Sequence, residues 1–272
     1  MILTFITRME NYLIIGFGWL GKALAQELKN DQVKLWASSS DAVKLLEMKT
    51  NGICGISLIK TNQVLSWKEL PNEHFDKVII TLPPFDGVLE SLKNILQNLS
   101  FSQLVFTSST GVYTDTDSLM DELSPVNDAS LVFQMEECIR SYTTSTYHVL
   151  RLAGHIGPDR HPVRYFLRHR RDISNGQAPV NLIQQKDITA AIRVVLQDVK
   201  QDSVYNVCWP EHPTKEDYYG NLALQMGEEK LSFLEGNHGK KIDGSKITRE
   251  TRFEYAHSIH EINVLDLRKD NI

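Results

Sequence analysis

Short apolar runs rich in β-branched residues recur along this chain and alternate with stretches whose apolar positions repeat every three or four residues. Tyr12 to Ile15 and Val33 to Ala37 read as the first two strands, and Leu20, Leu24 and Leu28 between them form one stripe of a crossover helix. "SSSDAVKLLEMKTNG" reads as a helix capped by Ser40 and ended at Gly52, followed by a short third strand over Ile53 to Ile56. "KVIITL" (77–82), the run 103–108 and "YHVLRLAG" (147–154) supply three more strands. Between them lie a helix carrying Leu89, Leu92, Leu96 and Leu99 and another over 131–142. This rhythm predicts an α/β fold, a Rossmann-type doubly wound parallel sheet with a smaller C-terminal substrate lobe. "DITAAIRVVLQDV" continues as an amphipathic helix, "SVYNVC" as a further strand, and "PTKEDYYGNLALQMG" as a helix capped by Thr214. The expected NAD(P)-binding domain is 1–154 with 181–208, and the expected lobe is 155–180 with 209–272. The first strand can begin just after Met9, which makes residues 1–8 an added arm.

Composition narrows the function classes. The 272 residues are 42% hydrophobic and 23% charged with a formal net charge of -5, which gives no electrostatic reason to bind nucleic acid or an anionic membrane. No apolar run approaches the roughly 20 residues of a membrane span, and "MILTFITRME" lacks the basic segment and cleavage site of a secretory signal. A cytoplasmic protein acting on a small molecule, as monomer or homodimer, is the expectation. Cys54, Cys138 and Cys208 show no CxxC spacing and the nine histidines no HxxxH or HExxH, so free, mostly buried thiols and no metal are expected.

The chemistry starts at "LIIGFGWLGKALAQEL". Gly16, Gly18 and Gly21 follow a strand and open a helix, the context in which GxGxxG has mechanical meaning. Gly16 permits the turn, Gly18 lets a pyrophosphate approach the backbone, and Gly21 lets the helix pack close to the sheet, with the positive helix end facing the phosphates. Phe17, Trp19 and Leu20 complete the loop, and Thr81, Leu82 and Pro83 at the end of the fourth strand join it as expected cofactor contacts. An acidic residue at the end of the second strand would bind the ribose hydroxyls and exclude a 2′-phosphate; here Ser38, Ser39 and Ser40 stand instead, with Asp41 one residue into the next helix. NADP is therefore favoured over NAD.

Together with "LVFTSSTGVYTDTDSLMDELSP" and "LRLAGHIGPDRHP", that loop resembles the short-chain dehydrogenase/reductase superfamily, in its atypical extended, epimerase/dehydratase-like form. The resemblance implies chemistry in a cleft between a Rossmann domain and a C-terminal lobe. It assigns Ser109, four residues before Tyr113, to polarising a substrate carbonyl or hydroxyl, sets Arg151, Gly154, Gly157 and Pro158 near the nicotinamide, and starts a helix at Asp187. It also breaks: Ala129 and Phe133 occupy the places of the catalytic tyrosine and lysine. Tyr113 is the nearest phenol, and His155, just beyond the sixth strand, is a residue that titrates near neutral pH; both join Ser109 as candidate catalytic groups. "TDTDSLMDE", with Asp121 and Glu122, reads as a solvated acidic loop. Arg160, Arg164, Arg168 and Arg171 fall on one stripe of a helix starting near Pro162, and Arg160 and Arg164 are candidate ligands for an anionic substrate. The chain thus reads as an oxidoreductase or epimerase-like enzyme, with a non-catalytic NADP sensor or scaffold as the alternative.

Overall fold

A computed structural model describes residues 8–114 and 116–268. In chain order the elements are β1 (Glu10–Ile15), α1 (Trp19–Leu28), β2 (Val33–Ser39), α2 (Ala42–Thr50), β3 (Cys54–Thr61), β4 (Val64–Trp67), β5 (His74–Ile80), α3 (Val88–Leu96) and β6 (Ser100–Ser109). There follow β7 (Leu119–Met120), α4 (Leu131–Tyr142), β8 (Thr146–Leu152), β9 (Gly154–Ile156), α5 (Pro162–His169), β10 (Leu182–Gln184), α6 (Gln185–Asp198) and β11 (Ser203–Val207). The last elements are α7 (Lys215–Gln225), β12 (Lys241–Ile242), α8 (Ser245–Glu250) and α9 (Val264–Arg268). The arm expected over residues 1–8 lies, apart from Arg8, outside the described residues.

The eight-stranded sheet runs β11-β8-β6-β5-β1-β2-β3-β4, and β1 pairs in parallel with both β2 and β5. Strand order therefore reverses at β1 and β5, and such a switch point is where an α/β sheet offers a crevice at the carboxyl ends of its strands. Leu13, Ile14 and Ile15 are fully buried, as a central strand covered on both faces requires.

The chain divides into two units. The first comprises residues up to Ser108, Asp128–Leu150 and Ile192–Val204; the second comprises Ser109–Asn127, Arg151–Ala191 and Tyr205–Ile272. The core of the first gathers Leu13, Ile15, Phe75, Val78, Leu92 and Phe106 from the sheet and α3, with Met135 and Ile139 from α4. In the second, Ile156, Val163, Leu182, Tyr218, Leu222 and Ile259 form a separate core. The expected boundaries shift accordingly: 109–127 groups with the second unit rather than with the glycine-rich one.

Several local expectations are corrected. The third strand runs on to Thr61 and turns through Asn62 and Gln63, both at positive φ (49° and 66°), into the antiparallel strand β4. Two left-handed residues fit a tight hairpin, but this pair lacks the glycine that usually marks one. Asp41, not Ser40, caps α2, its carboxylate accepting from the N–H groups of Val43 and Lys44. The expected sixth strand breaks at Ala153 into β8 and β9. The arginine helix is shorter than its stripe: Arg160 precedes α5, and Arg170 at φ 47° ends it before Arg171. Only Cys208 of the three free thiols is fully buried, and burial pushes its thiol up to about 12.

Candidate functional site

The loop after β1 is built by three contacts. Thr81, just beyond β5, donates its N–H to the Ile15 carbonyl (2.9 Å) and its hydroxyl to that of Gly16 (2.7 Å), while the Phe17 N–H reaches the Ser38 carbonyl at the end of β2 (3.2 Å). Gly16 sits at φ 106°, a conformation that L side chains rarely adopt. A Cβ on Gly21 would lie 2.1 Å from the Gly16 carbonyl oxygen, so α1 crosses the loop at a distance only glycine allows. Gly18 differs: a Cβ there would meet nothing within 4 Å. It is also the N-cap of α1, without a side-chain cap, and the first turn of that helix holds no acidic residue.

Open space in front of a helix end that no side chain caps suits an anion, since main-chain N–H groups and the positive end of the helix dipole converge there. The loop therefore fits a dinucleotide pyrophosphate. Phe17 and Leu20 are buried beneath it, Trp19 is half-buried, Leu82 is buried and Pro83 exposed. At the end of β2 the Ser38 hydroxyl is buried without a hydrogen-bond partner, and the Ser39 hydroxyl accepts from the N–H of Asp41 (3.0 Å).

Residues of the second unit are placed differently from expectation. Ser109, the last residue of β6, accepts from the Gly111 N–H (3.1 Å) and so caps the single 3-10 turn Thr110–Val112, leaving its own O–H as a donor. Tyr113 is not an available acid. Its ring is 2% exposed, its hydroxyl accepts from Arg151 Nη1 (3.0 Å) and donates to Asn206 Oδ1 (2.6 Å), and the Arg151 guanidinium lies 5.0 Å from the ring centre. Burial raises the phenol against the opposing pull of Arg151. Asn206 in turn donates its N–H to Glu122 (2.7 Å) and its amide to the Asp243 carbonyl (3.0 Å). Glu122, expected in a solvated loop, is half-buried, and desolvation raises its carboxyl above the ordinary value.

His155 also departs from its expected role. It lies in β9, paired with Ile183 of β10, and burial together with the nearby Arg160 pushes its imidazole down to about 4. That shift favours the neutral ring near pH 7. Arg160 and Arg164 do come together, with Arg168, around a cavity of about 490 Å³ that Tyr165, His169 and Met226 also line. Arg164 Nη1 is braced on the Asp159 carbonyl (2.8 Å), and Glu228 at the rim is paired with Arg170 (2.6 Å). Along α4, Ser130 is the N-cap, so Ala129 precedes the helix and Phe133 lies in its first turn.

Sequence reasoning missed two buried carboxylates. Glu136 of α4, 1% exposed, accepts a short hydrogen bond from Ser108. Asp187, also 1% exposed, accepts from His257 Nδ1 (2.7 Å) and from the N–H groups of Ala256 and His257. The polar helix start around Asp187 was a visible signal, but nothing marked its partner. Among the described residues no group of three histidine, cysteine or acidic side chains is placed to hold a metal ion, and no helix is long and apolar enough to cross a membrane.

Comparison with known proteins agrees with this geometry. Residues 11–131, which contain the whole glycine turn, match the NAD binding domain of 6-phosphogluconate dehydrogenase, so the chain carries a NAD-binding Rossmann domain. MoeE5, solved with UDP-glucuronic acid and NAD, superimposes with a TM-score of 0.73 at 14% identity, over 95% of this chain and 99% of that one. UDP-glucuronic acid 4-epimerase from Bacillus cereus, solved with NAD, gives 0.70 at 14% identity, over 91% and 92%. At that identity the likeness is one of fold. A closer relation is to protein YeeZ of Escherichia coli K12, 32% identical over 269 residues that span 92% of this chain and 97% of that protein. With nearly the full length of both chains aligned, this chain belongs to the YeeZ family.

Proposed function

We propose that the protein is an NAD(P)-dependent oxidoreductase, epimerase-like in architecture, acting on a small polar and anionic alcohol, carbonyl or sugar-type substrate. The observation that carries the reading is the glycine turn: an open space at Gly18 in front of a helix end with no side-chain cap, at the point where strand order reverses. A bound dinucleotide supplies the hydride acceptor or donor. In this reading Gly16, Phe17, Gly18, Trp19, Leu20 and Gly21 receive the pyrophosphate, while Ser38, Ser39, Thr81, Leu82 and Pro83 hold the remainder. The preferred form is NADP. β2 ends in serines, and the Asp41 carboxylate is taken up by the N–H groups of Val43 and Lys44, so it does not oppose a 2′-phosphate as a free acid would. Ser109, with its O–H unspent, orients the substrate oxygen. Arg160 and Arg164 face the charge of an anionic substrate, a task for which guanidinium is well shaped.

Titration of the full-length protein with NADPH and NADH tests the first half of this reading, because Trp19 opens α1 and reports on its N-terminus. Saturable quenching, tighter for NADPH and absent in a Trp19→Phe variant, supports it; no heat of binding with either dinucleotide by calorimetry refutes it. NADPH oxidation across a panel of anionic carbonyl compounds tests the second half. Turnover that Ser109→Ala depresses at unchanged dinucleotide affinity identifies an enzyme. Tight NADPH binding with no turnover favours the sensor reading, for which Ala129 and Phe133 in place of a tyrosine and a lysine are the specific observation.

A further inference from the structure

The second unit contains a smaller cavity, of about 200 Å³, that the proposed function does not use. Its walls are the segment Ile156 to Pro158, the start of α6 and the stretch from His257 to Asp266. The feature that sets it apart is the pairing of Asp187 with His257. A carboxylate without its proton can only accept hydrogen bonds, so the 2.7 Å contact selects the neutral tautomer with the proton on His257 Nδ1, in which Nε2, on the opposite edge of the ring, is an acceptor. The ring lines the cavity and is 35% exposed, whereas its partner carboxylate is 1% exposed.

Anchoring the chain does not require this third bond. The N–H groups of Ala256 and His257 already bind the same carboxylate, Gln184 Nε2 donates to the carbonyls of Ser258 (3.1 Å) and Glu261 (3.2 Å), and the Tyr218 hydroxyl donates to that of Ile259 (2.7 Å). The backbone around the ring is thus held by three side chains, and the Nδ1 bond adds a fixed tautomer and a fixed orientation. Preorganisation of this kind is how a buried carboxylate readies a histidine to receive a proton or a hydrogen bond.

The remaining lining defines what the ring meets. Lys186 brings a cation, Glu261 an acceptor, and Pro158 and Ile262 an apolar wall. Acceptors and a donor lining one small, partly apolar space suit hydroxyl groups carried on a short carbon chain. Acidic Glu261 and Asp266 disfavour a strongly anionic group. We propose that this cavity is a binding site for a small polyol, in which His257 Nε2 accepts a ligand hydroxyl and Asp187 is the positioning residue. The inference does not rest on the dinucleotide reading, because the site lies wholly within the second unit.

The test uses the full chain without dinucleotide, labelled with ¹⁵N at histidine, and erythritol and D-ribose as probes. Two-bond ¹H–¹⁵N correlation is expected to show His257 protonated at Nδ1 and bare at Nε2 at pH 7.5, with the Nε2 resonance shifting saturably on addition of a probe. His257→Asn keeps a donor where Nδ1 stood and removes Nε2; it is expected to retain the melting temperature while probe affinity, followed by ligand saturation transfer, drops at least tenfold. An Nε2–H tautomer, no response to either probe, or unchanged affinity in His257→Asn overturns the proposal. Failure of NADPH to bind leaves it standing.

Discussion

One turn of the first unit and one cluster of the second treat their polar groups in opposite ways. In the first, the turn after β1 presents a helix end without a side-chain cap and open space at Gly18. In the second, Arg151, Tyr113, Asn206 and Glu122 spend their hydrogen bonds on one another in a buried chain. Groups left open are what a ligand can meet, and groups that satisfy each other hold the fold together. The contrast explains why a tyrosine that the sequence offers as a catalytic acid is a structural clasp, while a turn made of little more than backbone is left open to a ligand.

Substitutions at two glycines of the same loop give the sharpest test of that contrast. Gly21→Val forces atoms against the Gly16 carbonyl, where even a Cβ has only 2.1 Å, and is expected to cost about 3 kcal/mol or more in urea unfolding. Acid titration should come next in size. His148 of the first unit and His161 of the second are held neutral by burial, at about 4 and about 3, below the ordinary value of 6.5. The unfolded chain takes up protons that the folded one refuses. Stability should therefore fall as pH drops from about 6.5 towards 4, by about 3 kcal/mol for each group, and His148→Gln should flatten that slope.

Tyr113→Phe removes the hydroxyl between Arg151 and Asn206 and should cost about 2 kcal/mol of stability by thermal denaturation with dinucleotide affinity untouched. Reduced NADPH affinity in that variant would break the division between clasp and binding element. The smallest effect on stability is expected for Gly18→Ala, within about 0.5 kcal/mol because the space is open, yet calorimetry should show NADPH binding weakened by about tenfold. Wild-type affinity in Gly18→Ala would remove the pyrophosphate from this position.

What was legible in the sequence was local. The glycine turn, the first strands and the cap at Thr214 depend on residues a few positions apart, and period and spacing report such features directly. The hairpin of β3 and β4 escaped because Asn62 and Gln63 adopt left-handed geometry without a glycine to advertise it. The arginine stripe was periodic on paper, but α5 stops two residues before Arg171, and the cavity assembles its arginines from the helix and the loop before it. The clasp and the Asp187 pair escaped for another reason. Tyr113 meets Asn206 across 93 residues, Glu122 meets it across 84, and Asp187 meets His257 across 70. Contacts at that range leave no periodicity in a single sequence, so a carboxylate bound for burial looks the same as one bound for solvent.

The alternation of segments between the two units also bears on how the protein is made. Neither unit is a continuous stretch: the chain leaves the first at Ser108, returns at Asp128, leaves again at Leu150 and returns for Ile192–Val204. A ribosome therefore releases the last piece of the first unit only after a large part of the second has emerged. Synthesis therefore cannot complete the first unit before the second has begun to emerge, and cutting the chain at residue 150 yields neither unit whole.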